Sequence, residues 1–437
     1  MGIGPPLQQG KGIIMKLLIK NANVILPGEI EPHGLDIRAE GGVICDIAPS
    51  LSGGDETIDA SGMFVLPGLV DMHCHLRDPG YEYKEDIESG GRAAVKGGFT
   101  SLVCMPNTDP VCDNKAVVVY IIETAKKLGL TKVYPCGAIT KGSKGEQLAE
   151  MEAMKAAGAV AVSDDGRPVA DAALMKKALV YAGMLNMPVI AHSEDLSLSG
   201  AGCVNEGEVS TMLGLAGIPA AAEEVCIARD VLLAEYTKTP VHITHVSAAG
   251  SVRIIRQAKA RGVKVTCDTC PHYFSLTETE VLGYNQNAKV NPPLRTQEDV
   301  KAIIEGLVDG TIDCIATDHA PHHEDEKNTE FDQAANGLIG LETALAVAYT
   351  YLVKPGYLMM GDIARLISQR PASLLSLPGG VLERGKPADI TIFDPGAEYT
   401  YSVNDIVSKS KNTPYIGKSL WGRVVATVVG GKVIFRA

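Results

Sequence analysis

Apolar runs with strand character recur eight times along the chain, and helical segments separate most of them. The first run ends at His75, and the others cover residues 100–105, 133–139, 159–163, 188–191, 241–244, 263–267 and 312–317. Segments with the spacing of amphipathic helices include residues 115–128, 147–157, 172–185, 221–235, 251–261 and 297–308. This alternation predicts an α/β fold, a (β/α)8 TIM barrel, in which functional sites lie at the carboxyl ends of the strands.

Both termini depart from this alternation. Residues 15–66 and 381–437 contain short strand-like runs and turns without the regular helices between them. Because the two ends of a closed barrel can lie close together, we expect these segments to pair into one small discontinuous β-sandwich domain, beside a barrel formed by residues 67–380. Residues 1–14 have no periodic pattern, and we expect them to be a mobile leader.

Composition argues against partners that carry dense negative charge. Of the 437 residues, 46% are hydrophobic and 21% are charged, and the formal net charge is −12. No basic tract is dense enough for nucleic acid or an anionic membrane surface. The chain also lacks a long apolar run and a signal-peptide pattern, and its ten cysteines are scattered in apolar segments. We therefore expect a cytoplasmic protein with reduced thiols.

Histidines and aspartates follow several of the predicted strands. His73 and His75 end the first strand, where residues two apart project to the same face, so both can bind one ion while Met72 and Cys74 face the other way. The fourth, fifth, sixth and eighth strands are followed by Asp164-Asp165, His192, His245 and Asp318. Imidazoles and carboxylates are suitable ligands for zinc and similar divalent ions. His242 should face away from His245 and pack against a helix.

This set of ligands is larger than one tetrahedral zinc ion needs. We expect one ion on His73, His75 and Asp318 and a second on His192 and His245, with an aspartate of the fourth strand between them. Two such cations would lower the pKa of a water molecule to about 7. Asp318 would then act as both metal ligand and general base, taking a proton from the water and passing it to a leaving nitrogen.

The segments around these residues resemble the bacterial type I dihydroorotases of the amidohydrolase superfamily, over nearly all of residues 16–437. The resemblance rests on HCHLRDPG (73–80), MPNT (105–108), SDDG (163–166), AHSE (191–194), THVS (244–247), VNPPLR (290–295), TDHAPH (317–322) and GLET (340–343). It implies the reversible interconversion of N-carbamoyl-L-aspartate and dihydroorotate, the third step of pyrimidine synthesis.

The resemblance also implies the contacts to the substrate. Its carboxylate would be held by Arg77, Asn107 and His322, its ring would meet Asn291, and backbone contacts would come from Asn336 and Gly337. Arg77 follows His75 by two residues, and a guanidinium can bind a carboxylate through two parallel hydrogen bonds. The structural alternatives are an ion pair between Arg77 and Asp78 and an Asx turn at Asn107.

Two features depart from the family pattern. Many relatives bridge their metals with a carboxylated lysine, whereas the fourth strand here ends in Asp164-Asp165. The resemblance favours Asp165 as the bridge, and strand alternation predicts that Asp164 faces away. The family more often has proline and phenylalanine before this glycine, whereas this chain has Asn336-Gly337. An Asn-Gly pair favours a tighter turn.

Two other functions stay open. A hydantoinase, dihydropyrimidinase or allantoinase would share the fold, but Arg77 and the missing bridging lysine argue against those activities. A non-catalytic partner of aspartate transcarbamoylase should have lost metal ligands, and this chain keeps all six. We expect a small-molecule substrate, one or two zinc ions per subunit with two favoured, and a homodimer, with association with aspartate transcarbamoylase left open.

Overall fold

The computed structural model describes residues 16–437, so the leader predicted for residues 1–14 lies outside the described residues. Segments from both ends of the chain form one eight-stranded sheet in the order β18-β17-β16-β5-β1-β2-β3, with β4 beside β1. Its strands are β1 (Lys16–Val24), β2 (His33–Glu40), β3 (Val43–Ala48), β4 (Glu56–Asp59), β5 (Phe64–Pro67), β16 (Ile390–Thr400), β17 (Ser419–Val429) and β18 (Lys432–Arg436). The termini therefore pair as predicted, through antiparallel β5 and β16. The second layer of a sandwich stays a prediction.

Eight parallel strands form the rest of the scaffold. They are β6 (Leu69–Cys74), β7 (Phe99–Cys104), β8 (Lys132–Gly137), β9 (Ala161–Val162), β10 (Ile190–Ala191), β13 (Val241–Ile243), β14 (Val265–Thr269) and β15 (Cys314–Ile315). They pair in two groups of four, and single bridges from Val162 to Val189 and from Cys74 to His319 join the groups at both edges. The strands thus close into a barrel, as the alternation predicts. We call their carboxyl ends the mouth and their amino ends the floor.

Helices follow the barrel strands. The main ones are α1 (Ile87–Lys96), α2 (Lys115–Leu128), α3 (Met151–Ala157), α4 (Ala172–Met184), α7 (Ala220–Thr237), α8 (Ala249–Ala260) and α10 (Gln297–Val308). The shorter ones are α5 (Leu196–Ser199), α6 (Glu208–Leu213), α9 (Pro271–Ser275), α11 (Glu324–Lys327), α12 (Ala344–Ala348), α13 (Met360–Ala364) and α14 (Arg370–Leu374), and a small ribbon pairs β11 (Val204–Asn205) with β12 (Gly217–Ile218). No helix within residues 16–437 has the length and apolar character needed to cross a membrane.

Local sequence explains where several helices begin. The Asn114 side chain accepts hydrogen bonds from two amides of the first turn of α2, and Thr296 forms a capping box with Asp299 at the start of α10. Both helices match the predicted segments 115–128 and 297–308 at both ends. Helix α3 begins at Met151, later than the predicted start at residue 147.

A bulge in β6 changes which residues face the barrel interior. Asp71 pairs with Leu102 and Cys74 pairs with Cys104, so three steps on β6 match two steps on β7. Met72 packs in an interior cluster with residues on or next to five other barrel strands: Val103, Met105, Cys136, Ala161, Ile190 and Cys314. The expectation that Met72 faces away from this interior is therefore wrong, because the extra residue resets the strand's alternation before the histidines.

Candidate metal centre

Six buried side chains converge at the mouth of the barrel. Four are imidazoles and two are carboxylates, and we call them the ligand ring: His73, His75, Asp165, His192, His245 and Asp318. Each lies at the carboxyl end of strand β6, β9, β10, β13 or β15 or within three residues after it. The structure therefore brings together every metal ligand that the sequence predicts.

One half of the ring surrounds the end of β6. Nε2 of His75 lies 3.1 Å from Oδ1 of Asp318, and Nε2 of His73 lies 3.4 Å from the same oxygen. Asp165 approaches both imidazoles, with its oxygens 3.3 Å from Nε2 of His73 and 3.5 Å from Nε2 of His75. These donor atoms face one another and form a compact pocket for a cation.

The other half contains His192 and His245. Nδ1 of His192 lies 2.8 Å from Nε2 of His245, and Oδ1 of Asp165 lies 3.6 Å and 3.5 Å from these two nitrogens. The structure thus has two groups of possible ligands, one of His73, His75 and Asp165 and one of Asp165, His192 and His245, each with donor atoms within 4.8 Å of one another. Asp165 is common to both groups, which is the arrangement that a bridging carboxylate requires.

The electrostatics of the ring favour a cation. Burial opposes protonation, yet the carboxylates of Asp165 and Asp318 raise the pKa of His73 to about 10. Burial likewise opposes protonation of His192, but Asp165 and Glu194 raise its pKa to about 9. Nε2 of His73 is buried without a hydrogen-bond partner in the described part of the chain. Two buried carboxylates and an unsatisfied ring nitrogen fit a bound divalent ion.

Hydrogen bonds outside the ring point three imidazoles inward. Nδ1 of His73 donates to Oγ1 of Thr244 at 2.7 Å, and Nδ1 of His75 donates to Oδ1 of Asn107 at 2.8 Å. Nε2 of His192 lies 3.2 Å from Oε2 of Glu194. Because each imidazole uses one nitrogen for these partners, its other nitrogen faces the ring, where a metal can bind in place of a proton.

Sequence reasoning missed most of this supporting layer. Thr244 donates onward to Asp268 at 3.0 Å, and Asp268 also accepts from the His245 backbone amide at 2.7 Å and from Nε2 of His242 at 2.8 Å. His242 also bonds to Thr266, so both of its ring nitrogens are held by β14. The sequence signal for this supporting layer was Asp268, which lies on the strand that follows the strand of His242. Only the pairing of β13 with β14 shows that these two strands are neighbours.

Three residues at the mouth have left-handed backbone conformations that side chains rarely adopt. The φ angles are +60° at Arg77, +43° at His245 and +46° at Asp318. Such angles cost free energy and persist where surrounding contacts impose them, commonly at functional sites. At His245 the contact is the hydrogen bond from its amide to Asp268.

Arg77 is a buried cation without an acidic partner. Its Nε donates to the Pro321 carbonyl at 3.1 Å, and its Nη2 lies 3.2 Å from Nε2 of His322. Nδ1 of His322 lies 3.2 Å from Glu326, and burial together with the Arg77 charge lowers the pKa of His322 to about 3. Within residues 16–437, no carboxylate forms an ion pair with Arg77. Asp78 instead accepts from the Tyr120 hydroxyl, so the alternative of an Arg77–Asp78 pair is wrong.

The predicted amide contacts bond to the ligand ring or to a side chain that supports it. Asn107 donates through Nδ2 to Asp165 at 3.4 Å while its oxygen holds His75, so it connects two ring members. Asn291 donates through Nδ2 to Glu194 at 3.0 Å. Asp164 points elsewhere, as predicted, and accepts from the backbone amides of Ile139 and Thr140.

Asn336 and Gly337 lie on the loop that packs behind His322. Asn336 is exposed, and Gly337 has a φ of +139°. A side-chain carbon at Gly337 would lie 2.7 Å from Cβ of Ala320 and 3.2 Å from Cδ2 of His322, so only glycine fits. The Gly337 amide donates to the Lys289 carbonyl, and its carbonyl accepts two side-chain donors. Its backbone groups are thus already bonded within the protein.

Solved structures of cyclic amidases share this fold. L-Hydantoinase (dihydropyrimidinase) from Arthrobacter aurescens superimposes with a TM-score of 0.86 at 25% identity, covering 96% of both chains. Dihydropyrimidinase from Brevibacillus agri NCHU1002 matches with a TM-score of 0.82 at 22% identity, covering 97% of this chain and 95% of that chain. The latter likeness concerns the fold alone.

Sequence comparisons are more specific. The family model described as dihydro-orotase-like matches residues 62–251. The dihydroorotase of Acetivibrio thermocellus is 57% identical over 96% of this chain and 99% of its own length. That of Ruminiclostridium cellulolyticum is 56% identical over 97% and 99%. With this identity over nearly the full length and a ligand ring intact at the mouth, the chain belongs to the dihydroorotase family.

Proposed function

We propose that this chain is a dihydroorotase, which reversibly hydrolyses the ring amide of (S)-dihydroorotate to N-carbamoyl-L-aspartate in pyrimidine biosynthesis. The observation that carries the choice among cyclic amidases is Arg77, a buried guanidinium beside the ligand ring without a carboxylate partner in the described chain. A buried charge needs a counter-charge. The carboxylate of dihydroorotate supplies one, and hydantoin, dihydropyrimidine and allantoin rings do not.

The ligand ring would hold one or two zinc ions. His73, His75 and Asp318 would hold one, His192 and His245 would hold the other, and Asp165 would bridge them. The sharing of Asp165 by both donor groups supports two ions rather than one. A divalent cation bound there would polarise the scissile carbonyl and make water more acidic.

Asp318 would act as the general base and general acid. Its carboxylate accepts a proton from the attacking water and then delivers it to the ring nitrogen as the amide bond breaks. Burial raises the pKa of Asp318, but the facing imidazoles, His73 before His75, lower it below its usual range. Asp318 is therefore ionised and able to accept the proton.

Arg77, Asn107 and His322 would bind the substrate carboxylate, and Asn291 would contact the ring. The neutral His322 donates its Nδ1 proton to Glu326, so its Nε2 is directed at Arg77 and orients the guanidinium. We also propose that the backbone of Asn336 and Gly337 contacts the substrate, and that the protein is a homodimer in the cytoplasm. The chain would divide into two domains, a sandwich of residues 15–66 and 381–437 and a barrel of residues 67–380. The pairing of β5 with β16 supports that division.

The test combines turnover with metal analysis on the purified protein. We expect hydrolysis of dihydroorotate and cyclisation of carbamoyl aspartate, little activity on hydantoin or allantoin, and one to two zinc ions per chain. Preferential turnover of hydantoin would replace the proposal with the hydantoinase alternative. Full zinc content without any turnover would favour the non-catalytic partner of aspartate transcarbamoylase.

A further inference from the structure

Two buried lysines lie behind the substrate pocket without acidic partners. Lys289 is 4% exposed and Lys327 is 5% exposed. Neither ammonium group forms an ion pair in the part of the chain described, although buried lysines are usually paired. Burial and the nearby Lys289 charge lower the pKa of Lys327 to about 7. Such an arrangement is costly, so other contacts must offset it.

Backbone carbonyls supply those contacts. We call residues 331–337 the 331–337 loop. Nζ of Lys289 donates to the carbonyls of Asp332 at 2.9 Å and Ala334 at 2.6 Å. Nζ of Lys327 donates to the carbonyls of Ala335 at 2.8 Å and Gly337 at 3.0 Å, and its third contact is the Lys289 carbonyl at 3.3 Å. The two ammonium groups therefore hold four carbonyls of one short loop.

The last residue of this loop supports His322. Gly337 packs so closely that an added Cβ would lie 3.2 Å from the His322 ring. Asn412 strengthens the contact, because its Nδ2 donates to the Gly337 carbonyl at 3.0 Å while its Oδ1 accepts from the His322 amide at 3.1 Å. Lys327 and His322 also line the same cavity, of about 530 Å³. A shift of the loop would therefore reach His322 and, through it, Arg77.

We propose that Lys289 and Lys327 are positioning residues for substrate binding, which fix the 331–337 loop so that Gly337 holds His322 against Arg77. The proposal rests on the proposed function of Arg77 and His322. Lysine suits this task because an ammonium group offers three donors that can bind carbonyls from several directions. Neither side chain touches the ligand ring, so the effect should appear in substrate binding rather than in metal content.

The test compares Lys327→Met and Lys327→Gln with the unchanged enzyme. For carbamoyl aspartate, Lys327→Met should raise KM roughly tenfold while kcat changes less than about threefold, because the loop positions a binding group and not the general base. Lys327→Gln keeps a donor group and should give an intermediate KM. The matched control is Lys155→Met, which removes an exposed lysine that donates to the Leu185 carbonyl far from the mouth. It should leave KM unchanged.

Hydrogen exchange of the amides of residues 331–337 provides a readout independent of turnover. We expect faster exchange there in Lys327→Met and Lys289→Met, with unchanged exchange in the barrel strands. If a lysine variant does not fold, Asn412→Ala removes the hydrogen bonds that join Gly337 to His322 with both lysines present, and it should raise KM with the same small change in kcat. An unchanged KM in the folded variants, or unchanged loop exchange, would overturn the proposal. If the unmodified enzyme does not turn over dihydroorotate, the proposed function is wrong.

Discussion

The buried Asp313 at the floor of the barrel is paired with lysine and arginine, whereas Asp165 and Asp318 of the ligand ring at the mouth face histidines. Asp313, at the floor, accepts from Nζ of Lys259 at 2.6 Å, from Nη2 of Arg370 at 2.8 Å and from the Cys267 amide at 2.9 Å. Asp165 and Asp318 are buried to a similar degree but have no lysine or arginine ion-pair partner among residues 16–437. At the floor, lysine and arginine neutralise the carboxylate of Asp313. At the mouth, no such partner in the described chain competes with a cation for the carboxylates of Asp165 and Asp318.

This difference separates a structural carboxylate from a functional one more clearly than burial does. The paired Asp313 joins β15 to α8 and α14, so it contributes to closure of the floor. The carboxylates at the mouth lie among imidazole nitrogens that point inward. Buried charges cost free energy unless they are paired, so we expect the ligand ring to stabilise the fold fully only when it binds a cation. Four substitutions test whether the two ends differ in this way.

The largest effect is expected for Asp318→Asn. Removal of the general base should lower turnover of dihydroorotate by roughly a thousandfold, within the range typical of acid–base catalysis. Steady-state rates and zinc content should be measured on the same preparation. Near-normal turnover with zinc bound would show that Asp318 is not the base.

Asp268→Asn should weaken metal binding without removing a ligand. Asp268 fixes Thr244, which orients His73, and it also holds the His245 backbone, so its loss should reduce zinc affinity by roughly 10–100-fold. Competition with a chelator measures the affinity. An unchanged zinc affinity would mean that the ring is fixed by packing alone.

Arg77→Lys should mainly raise KM, by about tenfold, because a point charge replaces the planar fork that matches a carboxylate. Arg92→Lys is the control, since Arg92 is an exposed arginine on α1 that pairs with Glu88. Kinetics of dihydroorotate hydrolysis separate the two variants. If Arg77→Lys and Arg92→Lys gave the same KM, Arg77 would have no part in substrate binding.

Asp313→Asn should give the smallest effect on function. Weaker pairing with Lys259 and Arg370 should lower the free energy of unfolding by about 1–3 kcal/mol, while turnover and zinc content stay unchanged. Urea unfolding and a standard assay together provide the measurement. A large loss of activity in this variant would contradict the division between floor and mouth.

Much of the barrel and its ligand set could be predicted because both depend on local patterns. Apolar runs and helical periods are properties of neighbouring residues, so all eight strands and the six proposed helical segments are found. Histidine and aspartate are common metal ligands, and only a few of them follow predicted strands, so the sequence limited the candidate ligands to a few positions. The direction of Met72 could not be predicted, because it depends on the bulge that β6 forms where it pairs with β7.

The sequence by itself determined the order of strands and helices, the pairing potential of both termini and the six candidate ligands. Only the tertiary structure decided that Met72 faces the barrel interior, that Asp268 and Glu194 orient the histidines of the ring, and that Lys289 and Lys327 hold a loop. The reason is physical: these contacts join residues far apart in the chain, and their strength comes from burial and from the direction of a lone pair or proton. A local segment of sequence shows neither the burial of a side chain nor the direction of its lone pair or proton, because both are set when the barrel closes.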